Sequence, residues 1–230
     1  MAWRDGSGRT LEDYPRPSVA VDVALLTVRD GALAVVVHER AADHAAGRYS
    51  LPGTFLRIDE TLAEAAQRAL RSKVRVTGQR PEQLYVFDDP TRDDRGRVIG
   101  VAHVDLVPLD RLGDATALLA PVQGTPPRPV LPDGHTRLAF DHDGIVERAV
   151  EWARTLYGRA PDPRGLAGAE FTLLELQRVH EAIGGRALQK DTFRRRVLDD
   201  LDDTGQLSSG TVGKPARLYR RRPTDQPDTR

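Results

Sequence analysis

Apolar and polar residues follow one another along this chain in two rhythms. Residues 19–28 and 33–37 are almost continuously apolar and rich in β-branched side chains, with Arg29-Asp30-Gly31 between them. That pattern predicts a strand pair closed by an Asp-Gly turn. Residues 84–87 and 98–107 predict further strands, and the charged stretch between them turns at Asp93-Asp94-Arg95-Gly96. In 60–74 the period changes: Leu62, Ala65, Ala66, Ala69, Leu70 and Val74 recur at helical spacing, and Thr61 with Glu64 forms a capping box at the start. Residues 141–157 repeat that period, with Ile145, Ala149, Trp152, Ala153 and Leu156 on one face. The Gly-rich 45–55 reads as a loop, and 121–135, with five Pro and two Gly, is too interrupted for a regular element.

The last third is more compact. Thr172 and Glu175 form a second capping box, opening a helix through Ile183; Gly184-Gly185 makes a turn, and 189–201 predicts another helix with Phe193, Val197 and Leu201 on its apolar face. Leu207 on one side and Leu218-Tyr219 on the other predict two strands around a Gly210-Thr211-Val212-Gly213 tip. Helix, tight turn, helix and glycine-tipped hairpin is the order of a winged helix-turn-helix. The expected organisation is an arm (1–17), a sheet-dominated α/β domain (18–140), a connecting helix and linker (141–164), the winged helix (165–223) and a disordered tail (224–230). Asp141-His142-Asp143 reads as the cap of the connecting helix rather than as a metal cluster.

Composition narrows the chemistry. The 230 residues contain no cysteine, which excludes disulfides, thiolate metal sites and cysteine nucleophiles. No apolar run approaches a membrane span and the first residues lack a signal-like core, so a cytoplasmic location is expected. Thirty-four basic residues balance thirty-four acidic ones, but 186–222 holds ten basic against five acidic. A local basic surplus in a neutral chain points to an anionic partner for that end.

Leu51-Pro52-Gly53-Thr54-Phe55, Asp59-Glu60 and Arg68 resemble the loop and helix of the Nudix box. Aligned on Glu60 and Arg68, the box's first glycine falls on Thr54, its later glutamates on Ala69, Ser72 and Lys73, and its last glycine on Arg75. Nudix hydrolysis needs Mg²⁺ held by clustered carboxylates, so the expectation is a silent domain with no catalytic residue, no metal and no cofactor. Glu64 has a plainer role as capping residue and partner of Arg68. The resemblance extends to Nudix-related transcriptional regulators of the NAD-metabolism repressor type. It is carried by Tyr14-Pro15-Arg16-Pro17-Ser18, by the segment Asp88-Asp89-Pro90-Thr91-Arg92-Asp93-Asp94-Arg95-Gly96-Arg97, by Leu138-Ala139-Phe140-Asp141-His142, and by Phe193-Arg194-Arg195-Arg196-Val197 and Gly213-Lys214-Pro215-Ala216-Arg217. The chain departs at Tyr49 and Thr54, where Trp and Gly are usual.

That resemblance implies an α+β Nudix-like sandwich followed by a small winged helix-turn-helix. It implies a homodimeric repressor on a double-stranded operator, released by ADP-ribose or a related nucleotide. Gln189, Lys190, Thr192, Arg194, Arg195 and Arg196 on the second helix, with Lys214 and Arg217 on the wing, are the candidate DNA contacts, since Arg and amide side chains match base edges and phosphates. Arg40, Arg48, Arg57, Arg92 and Arg95 surround the former catalytic loop and could replace Mg²⁺ at a diphosphate, with Arg57 and Arg92 as its clamp and Phe55 stacking on a base. Two other classes stay open: a Nudix-type nucleoside-diphosphate hydrolase with displaced metal ligands, and a Nudix-fold module whose basic end binds protein or RNA.

Overall fold

The computed structural model describes residues 3–41, 44–113, 117–208 and 215–222. β1 (Ser18–Arg29) and β2 (Ala32–Glu39) are antiparallel. Their turn places both Asp30 (φ 51°) and Gly31 (φ 75°) in the left-handed region, as a two-residue hairpin requires. β3 (Tyr49–Ser50) pairs with β2 and β4 (Gly53–Phe55) with β1, so the segment read as loop from sequence contributes two short strands. After helix α1 (Leu62–Val74), β5 (Glu82–Phe87) and β6 (Val98–Leu106) extend the sheet, β6 running parallel to β1.

β7 (Leu118–Gln123) and β8 (Arg128–Pro129) complete the order β5-β6-β1-β2-β7-β8. They correct the expectation that 121–135 holds no regular element. Proline lacks the N–H a ladder needs, and the β2–β7 register ends at Ala34 opposite Pro121, where the chain turns to pair with β8 instead.

β1 is buried on both faces, which is why its sequence shows no alternation. Val21, Val23 and Leu25 face α1 through Ala65, Ala66, Leu70 and Val74. Ala24 and Leu26 face α2 (His142–Arg159) through Ile145, Val146, Ala149, Val150 and Ala153. The helix expected to be a connector is therefore the third layer of the sandwich. Its buried face includes Val146, Val150 and Tyr157, while Trp152 and Leu156 are only half-buried.

The second unit contains β9 (Phe171–Thr172), α3 (Leu173–Gly184), α4 (Lys190–Val197), β10 (Leu201–Leu207) and β11 (Arg217–Arg221), with strand order β10-β11-β9. The Thr172–Glu175 capping box opens α3, and Gly185 closes it at φ 68°. α4 is shorter than the sequence predicts: Leu198–Asp200 tighten into a 3-10 turn, and Leu201 starts β10. Phe171, Leu176, Phe193, Val197, Leu201 and Tyr219 form its core. Val179 and Ile183 on the other side of α3 join the sandwich core instead.

Asp162 ties the units together. It is 1% exposed, and it accepts from the Tyr157 hydroxyl (2.8 Å), from the amides of Leu166 (2.8 Å) and Ala167 (3.1 Å), and from Arg221 Nη1 (2.8 Å). Its bonds tie the linker to α2 and to β11.

Candidate ligand cavity and nucleic-acid interface

A cavity of about 250 Å³ opens at one end of the sandwich, lined by Asp22 of β1, Arg40 after β2, Gly53, Thr54 and Phe55 of β4, Lys73 of α1, Arg92, Asp93 and Arg95 of the β5–β6 loop, and Phe140 and His142 at the start of α2. Four permanent cations thus face two carboxylates. Arg92 is spoken for. Its Nε and Nη2 donate to Asp141 Oδ2 and Oδ1 at 2.8 and 2.7 Å, and Asp22 Oδ2 lies 3.7 Å away. Two glycines make room for this cluster: a Cβ on Gly53 would sit 2.1 Å from Asp22 Oδ1, and one on Gly100 2.6 Å from the Arg92 guanidinium carbon. Asp141 therefore serves an ion pair, with no side-chain cap bond, which corrects its expected role.

Arg95 is fixed differently. Asp93 takes its Nε (2.9 Å) and Nη2 (2.7 Å), and its guanidinium lies 5.4 Å from the Phe55 ring centre and 5.1 Å from that of Phe140. Arg40 covers Phe140 as well, at 5.1 Å. His142 Nδ1 accepts from the Leu51 amide at 3.0 Å, which leaves Nε2 to carry the proton beside Asp22 Oδ1 (3.5 Å). Burial lowers its pKa, so the ring is neutral.

The residues at the Nudix-box positions make structural contacts. Glu60 accepts from Arg68 Nε at 3.0 Å, forms a second bond to Arg68 Nη2, and accepts from the Arg57 amide at 2.8 Å. The Arg68 hydrogen bond holds the Glu60 carboxyl below the usual carboxylate range. Arg68 also donates to Thr54 Oγ1 (2.7 Å) and the Phe55 carbonyl (2.9 Å), stapling the loop to α1. Arg68 thus pairs with Glu60 and not, as its spacing suggested, with Glu64, which closes the capping box with Thr61. Divalent metal fits this donor set poorly. Among the described residues no three His, Asp or Glu side chains converge as ligands would, and Lys73 brings an ammonium to the cavity.

Of the sequence-proposed ligand residues, the structure brings Arg40, Phe55, Arg92 and Arg95 together. Arg48 donates to the Leu138 carbonyl at 2.6 Å, and Arg57 is exposed outside the lining. Asp22, Lys73, Phe140 and His142 were missed. An acid inside an apolar strand run and a lysine at a box glutamate were the available signals.

On α4, Phe193 and Val197 are buried, while Lys190, Thr192, Arg194, Arg195 and Arg196 are exposed together. Gln189 caps the helix, its Oε1 accepting from the Thr192 amide at 2.6 Å. Arg217 on the wing is held by Asp203 at 2.6 Å, and Lys214 lies outside the described residues. Arg220 pairs with Asp202 and Arg221 with Asp162, so the basic run after Tyr219 belongs to β11 and its end rather than to a tail.

A cationic cavity in a sandwich with a capped Nudix-type helix, joined through Asp162 to a winged helix with a basic exposed helix, defines a two-part regulator. Residues 16–137 match the model of the NUDIX domain, and residues 164–221 that of the NrtR DNA-binding winged helix domain. The chain belongs to the Nudix family, in the branch that carries the NrtR winged helix. It is 30% identical over 213 residues, 90% of this chain and 83% of the relative, to an ADPR responsive transcriptional repressor, NtrR, of Acinetobacter baylyi. The structure resembles that of Shewanella oneidensis NrtR complexed with a 27mer DNA (31% identity, TM-score 0.68, 89% of this chain and 93% of that one). It also resembles the NUDIX domain of the same protein complexed with ADP ribose (26% identity, TM-score 0.52, 64% and 94%). No described helix is long and apolar enough to cross a membrane.

Proposed function

We propose that this chain is a transcriptional repressor that binds operator DNA through α4 and the wing and releases it when ADP-ribose or a related nucleotide enters the sandwich cavity. The observation that carries this reading is the joint presence, in one chain, of an exposed basic helix in a winged helix-turn-helix and a cavity whose cations outnumber its carboxylates. Arg and Lys neutralise backbone phosphates and Arg reads guanine in the major groove. A cavity with surplus positive charge suits a diphosphate.

The sandwich is catalytically silent in this reading. Nudix chemistry draws on a divalent cation to neutralise phosphate charge; here Lys73 and the arginines take that electrostatic share. The active species is a homodimer in the cytoplasm, where a palindromic operator matches a two-fold protein. Anisotropy titration of labelled duplexes, selected from a random pool by the full-length protein, tests the reading with and without ADP-ribose. Affinity should fall when the nucleotide is added. Selection of no duplex, or affinity indifferent to every nucleotide tried, overturns it.

A further inference from the structure

The seam between α2 and the turn joining α3 to α4 encloses a cavity of about 310 Å³, and arginines from three separate elements line it: Arg154 of α2, Arg186 of the turn and Arg196 of α4. Other arginines that line or join buried parts of the chain are paired with acids, as at Arg92, Arg95, Arg164 and Arg221. Here, among the described residues, they are not. Arg154 Nε donates to the Ile183 carbonyl (3.2 Å) and Arg196 Nη2 to His180 Nδ1 (3.0 Å), while Arg186 bonds to no described side chain or backbone group. His180 adds no charge of its own, because its Nδ1 accepts from Arg196 and burial lowers its pKa.

Three guanidinium groups around one cavity repel one another unless an anion joins them. Their N–H forks match the tetrahedral oxygens of a phosphate. The seam shares α4 with the exposed Lys190, Arg194 and Arg195, so an extended polyanion on that helix would pass it. We propose that this seam binds a backbone phosphate of duplex DNA, so that α2, a layer of the sensor sandwich, touches the operator directly. The proposal rests on the DNA-binding reading above and extends it to a residue, Arg154, outside the winged helix.

The test uses full-length protein and the duplexes it selects. Losing one phosphate contact should lower the slope of log affinity against log salt by about 0.9. An Arg154→Ala/Arg186→Ala double variant should show that loss with weaker binding at low salt. Since Arg154 also holds the end of α3, Arg186→Ala alone is measured beside it; it has no internal bond to lose and should weaken binding with Tm unchanged. Wild-type slope and affinity in both variants overturn the proposal. Inorganic phosphate or pyrophosphate that raises the Tm of the wild type and not of the double variant, with unchanged DNA slopes, overturns DNA as the occupant in favour of a free anion. Failure of the wild type to select any duplex overturns the DNA-binding function itself, and this proposal with it.

Discussion

Arg92 and Asp141 meet as a two-bond ion pair, at 2.8 and 2.7 Å, with the Arg92 side chain 4% exposed. The pair joins the β5–β6 loop to the first turn of α2 and closes the floor of the ligand cavity. It makes Arg92 a builder of the cavity before it is a ligand to anything inside. Removing one partner of a buried pair costs about 3–5 kcal/mol. Because Asp141 is 29% exposed and can rehydrate, Arg92→Ala is expected to lower unfolding stability by less than that amount, and chemical denaturation measures it. An Arg92→Ala protein as stable as the wild type would show that the pair contributes nothing.

Gly53→Ala is the sharper probe of the same cluster. Its Cβ would fall 2.1 Å from Asp22 Oδ1, so strand β4 or Asp22 must move. Overpacking of this kind costs about 1–3 kcal/mol, and nucleotide affinity measured by calorimetry should fall with it. Gly47→Ala, whose Cβ meets nothing within 4 Å, separates steric from backbone effects.

Metal dependence separates regulator from enzyme. ADP-ribose should bind equally well with excess EDTA and with Mg²⁺, and phosphorus NMR should show the nucleotide intact after prolonged incubation. Lys73→Glu should weaken binding in EDTA. Mg²⁺-dependent turnover of ~1 s⁻¹, ordinary for an enzyme, abolished by Glu60→Ala, would restore the hydrolase reading.

Buried imidazoles set the acid limit of stability. Burial is the main cause lowering the pKa of His103, His142 and His180 from an ordinary value of 6.5. Each unfolded imidazole therefore takes up a proton that its folded counterpart refuses. Stability is complete above pH 6.5 and declines as pH falls below it, by at most about 1.4 kcal/mol per pH unit for each histidine. Urea midpoints at pH 7.5, 6.5 and 5.5 should fall in that order. His180→Gln should flatten the decline, and a profile level down to pH 5.5 contradicts the assignment.

Arg164 is a second fastening of the linker. It pairs with Glu82 of β5, lies 3.8 Å from Asp105 of β6 and covers the Trp152 ring at 5.2 Å, so it fastens the linker to the sandwich. If nucleotide and operator are coupled through domain orientation, the coupling factor should fall in the usual range of roughly 5–150 and be reciprocal. Arg164→Ala should shrink that factor while each ligand alone binds as before. Calorimetric titrations of nucleotide into free and operator-bound protein give both legs.

Much of this was legible in the sequence because it is local. Thr61 with Glu64 and Thr172 with Glu175 announce helix starts by chemistry that spans four residues, and Asp30-Gly31 announces a hairpin. The apolar stripe of Phe193 and Val197 correctly left the basic residues of α4 facing outward. Illegible were contacts that only folding brings together. Arg92 finds Asp141 beyond the intervening strands β6, β7 and β8, and Asp162, in a stretch that reads as broken linker, gathers bonds from α2, its own loop and β11. Proline counting failed at Pro121 because a strand can end its ladder on a proline and continue with another partner.

The helix α2 runs from the cavity to the joint that holds the wing strand. Asp141 at its start grips the cavity arginine, and Tyr157 near its finish grips Asp162, which in turn holds the wing strand through Arg221. Eighteen helical residues span about 27 Å at 1.5 Å each. Over that length a tilt of about 5°, pivoting at the cavity, displaces the far end by roughly 2 Å. A base-edge hydrogen bond does not survive such a displacement. A nucleotide that turned α2 by so small an angle would therefore be enough to break the contacts of a reader fastened to its far end.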